Sequence, residues 1–560
     1  MRRSLSPTLI LLVIGQIAIA QTVMAKCPDE GLIPIAELRG TSGESREGER
    51  ILTRGVVTGD FRGEDALNGF YLQDDGDNPA GIFVYAPDLE PGIPPVAPGR
   101  EVVVAGQAGK FQGNRQISRV RQVLGCDEPG LPEPVDLALP EAERDGWRAR
   151  EGMLVRIPEP VTVTGNFDLE RFGSLDVAVG GRLFRPTNSP DRENAHHNDA
   201  RRIVIDDASY SRNPRPVPYL DAEGTRRVGS VIPELSGVLT HAFDAWRIHP
   251  LAPEAVEFER TNPRPDAPER QAEMRLAGFN VENYFLTLGE RGAADESELE
   301  RQRRQLAAVA EGLESDLLGL VEVENRPEAV ADLAERLGKA AGLSGGYRHF
   351  GLEEGVGTDA IRVALAWHPG RVEKLGGPWI DERRVHHRPP VAAHFRMGPE
   401  GPGKIVAVIH HKAKTGCPEE GDVDRGQGCW NERRTAQSEA LAEFLEEQAG
   451  KAGTDRVIIL GDINSYGGED PVLTLTEAGF SDLIREHRAP EERYSYVFHG
   501  ESGYIDTALS SASLIEDVVD AGFWHINADE PPALHEFDSD SKAGPWRSSD
   551  HDPVWVDIEP

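Results

Sequence analysis

Residues 261–273, TNPRPDAPERQAE, are rich in proline and charge, and they separate two halves of the chain whose apolar patterns follow different periods. Such a break predicts separately built domains, because neither periodicity can continue through it. Ahead of it, ILTRGVVTGDF, GFYLQDD, GIFVYAP and REVVVAGQAG are short strand-like runs punctuated by Gly, Pro, Asn and Asp, which predicts a small β-barrel over residues 26–128. The runs MLVRIPEPVTVTG, GSLDVAVGGRLF and GSVIPELSGVLTHAF predict a second β-rich region over 129–260. His196 and His197 lie in a polar loop there, and adjacent histidines in such a loop read as solvated. Beyond the break, MRLAGFNVENYF, LLGLVEVEN, IRVALAWHP, KIVAVIHHK and RVIILGD alternate with helical spacing at 297–313, 327–341 and 431–449. Strands alternating with helices predict an α/β domain with buried sheets over 274–560. A chain of 560 residues also exceeds what one core serves.

The first residues suit export. Met1, Arg2 and Arg3 precede an apolar run at 9–20, with small residues at Ala18, Ala20, Val23 and Ala25, so residues 1–25 read as a removable signal peptide. No later run is long and apolar enough to span a bilayer, so a soluble protein without a membrane anchor, secreted or periplasmic, is expected. Four cysteines fall into two sets, Cys27 with Cys126 and Cys417 with Cys429, and an oxidising compartment favours their pairing as disulfides. With no CxxC pair, a zinc site is the weaker reading. A net charge of −35 argues against general adhesion to nucleic acid or anionic membrane. It leaves room for a polyanionic substrate where basic residues gather and divalent cations bridge the rest.

The chemistry is written at strand ends. The run Val457, Ile458, Ile459, Leu460 stops at Gly461, Asp462, Ile463, Asn464, which is how a doubly buried strand delivers polar groups to a cleft. GFNVEN at 278–283, LVEVEN at 320–325, IHHK at 409–412 and SSDHDP at 548–553 do the same, with Tyr504, Ile505 and Asp506 between the last two sites. Carboxylates, imidazoles and amides gathered at strand ends can activate a water and hold a cation that neutralises developing charge. Carboxylate and amide oxygens suit Mg²⁺ or Mn²⁺.

These segments, in this order, resemble the endonuclease/exonuclease/phosphatase superfamily, which includes pancreatic-type deoxyribonuclease. The likeness covers roughly 274–558, with SSDHDPV its most specific element; the upstream barrel and GQGCWN at 426–431 look most like the bacterial extracellular nuclease branch. It implies a four-layer α/β sandwich, two packed sheets flanked by helices, behind a barrel of the oligonucleotide/oligosaccharide-binding (OB) type. Phe61, Tyr71, Phe83 and Tyr85 of that barrel are candidate stacking faces for bases, though alternate aromatics on strands are more often core.

Residue by residue, the resemblance makes Glu322 the principal metal ligand, helped by Asn280. Asp462 and Asn464 would position the attacking water, the phosphate or a second ion, and Asp550 would assist the metal or His551. His551 is the favoured catalytic imidazole, as base or phosphate stabiliser, oriented by Asp506. His410 is the second active-site histidine, with Asp359 as its orienting partner. Glu282 and Glu324 stand where pancreatic-type enzymes carry arginines. Replacement positive charge is expected from Lys412, Lys414, Arg388 and Arg434, with Arg383, Arg384, Arg425 and Arg433 nearby. The implied cofactor is Mg²⁺ or Mn²⁺, with Ca²⁺ a candidate structural ion, and the implied partner is DNA, with RNA the second candidate, acted on by a monomer. The function expected is a secreted, metal-dependent nuclease of little sequence specificity. The alternatives are a secreted phosphatase or phospholipase C of the same superfamily, and a non-catalytic nucleic-acid-binding matrix protein.

Overall fold

The computed structural model of the protein describes residues 27–40, 46–63, 65–75, 79–89, 96–139, 145–190, 195–352, 355–398, 401–532 and 544–560. The expected signal peptide lies outside them.

Strands Arg50–Phe61, Gly69–Gln73, Gly81–Tyr85, Glu101–Phe111 and Asn114–Gly125 close into a barrel. Val57, Phe70, Leu72, Val84, Val102, Val104 and Ile117 fill its centre, alternate residues turned inward as the strand period dictates. A disulfide between Cys27 and Cys126 ties the entering chain to the end of the last strand. Phe61 and Tyr71 are not open stacking faces. Both are buried, packed edge to face at 6.0 Å, and with Leu67, Ala208 and Val238 they form an apolar joint between the barrel and the next sheet. Of the other two candidate stacking residues, Tyr85 is exposed and Phe83 partly buried.

That next sheet has eight strands and packs around Trp147, Val163, Val177, Leu239 and Ile248. The remainder is a sandwich. One six-stranded sheet runs, in order, through Arg348–His349, Ile361–Trp367, Leu317–Glu324, Met274–Tyr284, Val554–Ile558 and Val518–Phe523. The other runs through Val372–Ile380, Val391–Met397, Gly403–His410, Val457–Asp462, Asp506–Ser511 and Phe480–Asp482. Leu276, Val321, Val363, Val408, Leu460, Ala508 and Val556 form the core between them. Helices Glu296–Leu313 and Pro327–Ala340 cover one outer face, and Asn431–Ala452 and Asp470–Glu477 the other. The first of these helices begins where Asp295 accepts a hydrogen bond from the Glu298 amide at 3.0 Å, an N-cap that satisfies an otherwise orphaned donor. Strands buried on both faces lose their polar groups everywhere except at their ends, so the site can only lie there.

The eight-stranded sheet grips the sandwich through buried charge. Arg182 meets Asp529 at 2.8 Å, Arg227 meets Glu530 at 2.5 Å, and Arg264, within the proline-rich segment, meets Glu530 at 2.9 Å. Burial alone would raise the Asp529 pKa, but the Arg182 and Arg227 guanidiniums outweigh it and hold the carboxyl at about 2, below its ordinary 3.8. A depressed carboxyl stabilises the fold fully above its unfolded value, and that contribution, about 2 kcal/mol, disappears as pH falls through the folded value. Thermal midpoints measured from pH 5 to pH 2 should therefore drop more steeply for the natural protein than for Asp529→Asn. Parallel profiles would show that Asp529 contributes no such term.

Candidate active site

Three neighbouring strands of the second sheet set one wall of the cleft by register alone. His410 pairs with Asp462, and Asp462 with Asp506, so three polar residues stand side by side at the strand ends. Gly461 is required for this: its φ is +123°, and a Cβ there would sit 2.3 Å from the Ile409 carbonyl oxygen. The facing sheet contributes Asn280 and Glu322. Glu322 has φ +67°, and the strand pairing shifts register between Leu320 and Val323 around it. That bulge turns the carboxylate out of the alternating pattern. His551 and Asp550 lie on the loop entering Val554–Ile558.

The contacts are short. His551 Nδ1 lies 2.9 Å from Asp506 Oδ2, which also accepts from the Ser495 hydroxyl at 2.6 Å. The Asp506 carboxylate therefore fixes the ring with Nδ1 engaged and Nε2 free for the cleft, and Asp550 Oδ1 is 3.9 Å from that nitrogen. Across the cleft, His410 Nε2 sits 3.4 Å from Asp462 Oδ2 and 3.8 Å from Glu322 Oε1. Asn280 donates its side-chain amide to Asp462 Oδ2 at 3.3 Å, and the Asn464 amide donates to Asp462 Oδ1 at 2.7 Å. The structure thus brings Asn280, Glu322, His410, Asp462, Asn464, Asp506, Asp550 and His551 to one place. Two contributors have no strand-end signature in the sequence, Ser495 beneath Asp506 and Tyr496, whose ring lies 4.8 Å from that of His551.

Burial and crowding set the charges. Glu322 is pushed up by burial and by the Asp550 charge, and Asp462 by burial. Glu282 rises to about 7 through burial and Asp550. His410 is driven well below its ordinary value by burial and by Arg388, so its imidazole is neutral. Burial also pulls His551 down, but Asp506 and Asp550 more than reverse it, and its pKa lies well above the usual range. An imidazolium facing several carboxylates is a donor to anionic oxygen.

The donor set fits a hard divalent cation. Glu322, Asp462 and Asn280 all offer oxygen donors, and besides burial the Asp550 and Asp462 charges raise the Glu322 pKa, so negative charge gathers where a cation could sit. Asp462, Asp506 and His551 also offer ligand atoms within 4.8 Å of one another. Of these, Asp506 and His551 are already hydrogen-bonded together, which favours the Glu322 side of the cleft for an ion.

The basic residues divide. Arg434 is fully buried, donating to Ser465 Oγ and to the Gln427, Lys412 and Cys429 carbonyls, so it organises the loop closed by the Cys417–Cys429 disulfide and does not meet a phosphate. Lys414 is held by Glu469 at 2.5 Å and is likewise structural. Burial on forming loops of this kind consumes cations that sequence reads as free. Lys412 donates to the Ala413 and Thr415 carbonyls, and Arg388 donates to the His411 carbonyl while its charge acts on Asp462 and Glu322. Asp359 does not orient His410: it accepts from Arg291 at 3.0 Å, and His410 Nδ1 is buried with no hydrogen-bond partner.

Residues 277–551 match the model of the Endonuclease/Exonuclease/phosphatase family. No curated protein matches the chain. Among solved structures, humanized D. rerio TDP2 is similar at 16% identity and a TM-score of 0.35, over 50% of this chain and 97% of that one. The mannosyl-6-phosphatase of Bacteroides thetaiotaomicron is similar at 16% identity and 0.34, over 51% and 99%. The human Nocturnin catalytic domain gives 16% and 0.33, over 51% and 93%.

Proposed function

Residues 277–551 belong to the endonuclease/exonuclease/phosphatase family, and from that premise we propose that the protein is an exported, divalent-metal-dependent nuclease that hydrolyses phosphodiester bonds of DNA, and secondarily RNA, with little sequence preference. The observation that carries this reading is the His551–Asp506 pair at 2.9 Å facing the oxygen set of Glu322, Asp462 and Asn280. Glu322 and Asn280 are the residues that would hold Mg²⁺ or Mn²⁺, which when bound supplies the positive charge a pentacovalent phosphate needs. Asp462, its pKa raised by burial, would accept the proton of the attacking water, held by the hydrogen bond from the Asn464 backbone amide to its Oδ1. His551 donates from Nε2 to a phosphate oxygen and stabilises the charge that builds there. Neutral His410 stands between Glu322 and Asp462 and keeps the two carboxylates apart.

Two disulfides support an oxidising destination. Among the described residues no helix is long and apolar enough to cross a membrane. For the barrel, the OB reading is supported by its strand order and by the parallel pairing of Gly81–Tyr85 with Asn114–Gly125.

Purified protein incubated with circular DNA and Mg²⁺ or Mn²⁺ should nick and then linearise it, and chelation should abolish the reaction. A sugar phosphate monoester hydrolysed while DNA stays intact would overturn the nuclease reading in favour of a phosphatase.

A further inference from the structure

A second concave site lies away from the catalytic cleft, where the tips of two hairpins meet. One tip joins strand Glu101–Phe111 of the barrel to Asn114–Gly125, and the other joins Leu235–Ala242 of the eight-stranded sheet to Ala245–His249. The Asn114 side-chain amide donates to the His241 carbonyl and ties the two tips together. Between them lies a cavity of about 820 Å³, open to solvent, and no residue lining it belongs to the sandwich. Tyr85, Phe111, Phe167, Tyr210, Phe243 and Phe498 are the aromatic rings left exposed among the described residues, and Phe111, Tyr210 and Phe243 all line this one cavity. Exposed rings scattered singly are ordinary, whereas half of them gathered at one opening mark a surface kept for contact.

Phe243 holds its place against local preference. It forms a two-residue turn with Asp244, at φ +52° and +58°, left-handed at both positions, where glycine, asparagine and aspartate fit and a bulky ring is strained. The ring is backed by Arg247 at 5.1 Å yet stays 73% exposed, so folding recovers little apolar burial from it. The polar lining is specific as well. His249, only 5% exposed, turns Nε2 toward Asp206 and keeps Nδ1 buried with no hydrogen-bond partner. Asn114 likewise keeps its Oδ1 buried and unpartnered. Each guanidinium lining the cavity already faces a carboxylate, Arg247 with Asp206 at 2.6 Å, Arg39 with Glu151 at 3.1 Å and Arg115 with Glu47 at 3.8 Å. The cavity thus presents ring faces and two unused acceptor positions, with its positive charge matched.

We infer that this cavity binds a neutral glycan, a stretch of hexose or N-acetylhexosamine units, independently of the phosphodiester chemistry in the sandwich. A sugar ring brings both things that the lining lacks: an apolar C–H face to lie on Phe111 and Phe243, and hydroxyl donors for His249 Nδ1 and Asn114 Oδ1. A nucleic-acid backbone brings phosphate oxygens, which only accept and which draw their affinity from unmatched cations. The barrel and the eight-stranded sheet then anchor the protein to a polysaccharide while the sandwich acts on its own substrate.

The test is calorimetric titration of the full chain, in the presence of chelator, with maltoheptaose, cellohexaose, chitohexaose and a single-stranded oligothymidylate. At least one of the three sugars should bind, and its affinity should fall about tenfold in Phe243→Asn and in Phe111→Ala, the loss expected for one stacked face. Asparagine suits the left-handed turn, so the thermal midpoint of Phe243→Asn should match or exceed that of the natural protein, which separates loss of ligand from loss of fold. Failure of all three sugars to bind at millimolar concentration would overturn the site, as would full affinity retained in either variant. Binding of the oligothymidylate that both variants lose would also overturn it, giving the cavity to nucleic acid. None of these outcomes depends on whether the sandwich cleaves DNA, so the nuclease reading stands or falls separately.

Discussion

Replacing His551 by alanine should lower phosphodiester hydrolysis by about two to four orders of magnitude, the range typical of losing a positioned proton-transfer or donor group. The effect should fall mainly on kcat, because the imidazolium acts where charge develops on the phosphate. The variant also strips the buried Asp506 carboxylate of its strongest partner, leaving it the Ser495 hydroxyl, at a cost of about 1–3 kcal/mol in stability. Activity and folding must therefore be measured on the same preparation. Asp506→Asn provides the complementary reading: it keeps the shape but removes the charge that holds the proton on His551, so it too should lose activity, by a smaller factor. A His551→Ala protein that is folded and retains more than a tenth of the natural kcat would remove His551 from the chemistry.

Glu322→Gln should be nearly as damaging, by a different route. The amide keeps the volume and one oxygen but withdraws a negative charge from the oxygen set facing His410 and Asp462. Calorimetric titration should show Mg²⁺ or Mn²⁺ affinity reduced by about tenfold or more, and activity at limiting metal reduced in step, with partial recovery at high metal. Loss of activity with unchanged metal affinity would place Glu322 on the phosphate or water instead. An unchanged rate at limiting metal would exclude it from the site.

Sequence carried a large part of this because strand burial is so restrictive. In VIILGDINSY a polar residue can follow Leu460 only where the strand leaves the core, and the register His410–Asp462–Asp506 then assembles one wall of the cleft with no further information. The strand-end pattern marked the segments that hold Asn280, Glu322 and His551, and only the family resemblance singled those residues out within them. It did not reveal the roles of Arg434 and Lys414, because charge in a sequence looks identical whether it is free or spent on carbonyls and carboxylates in a buried loop. Ser495 and Tyr496 escaped because nothing local distinguishes them from an ordinary turn. The Asp529 and Glu530 cluster gave no sequence signal because its partners Arg182 and Arg227 lie about three hundred residues upstream, beyond the reach of periodicity or motif.

Glu322 and Asn464 both hold left-handed backbone, at φ +67° and +50°, a conformation that costs a non-glycine residue about 1–3 kcal/mol. Selection for thermal stability alone would push these two positions toward glycine, gaining heat resistance while erasing, at 322, the carboxylate proposed to engage the metal. A library of stabilised variants should accordingly contain inactive members changed at 322, and a natural sequence that keeps Glu there is accepting a weaker fold in exchange for a working cleft.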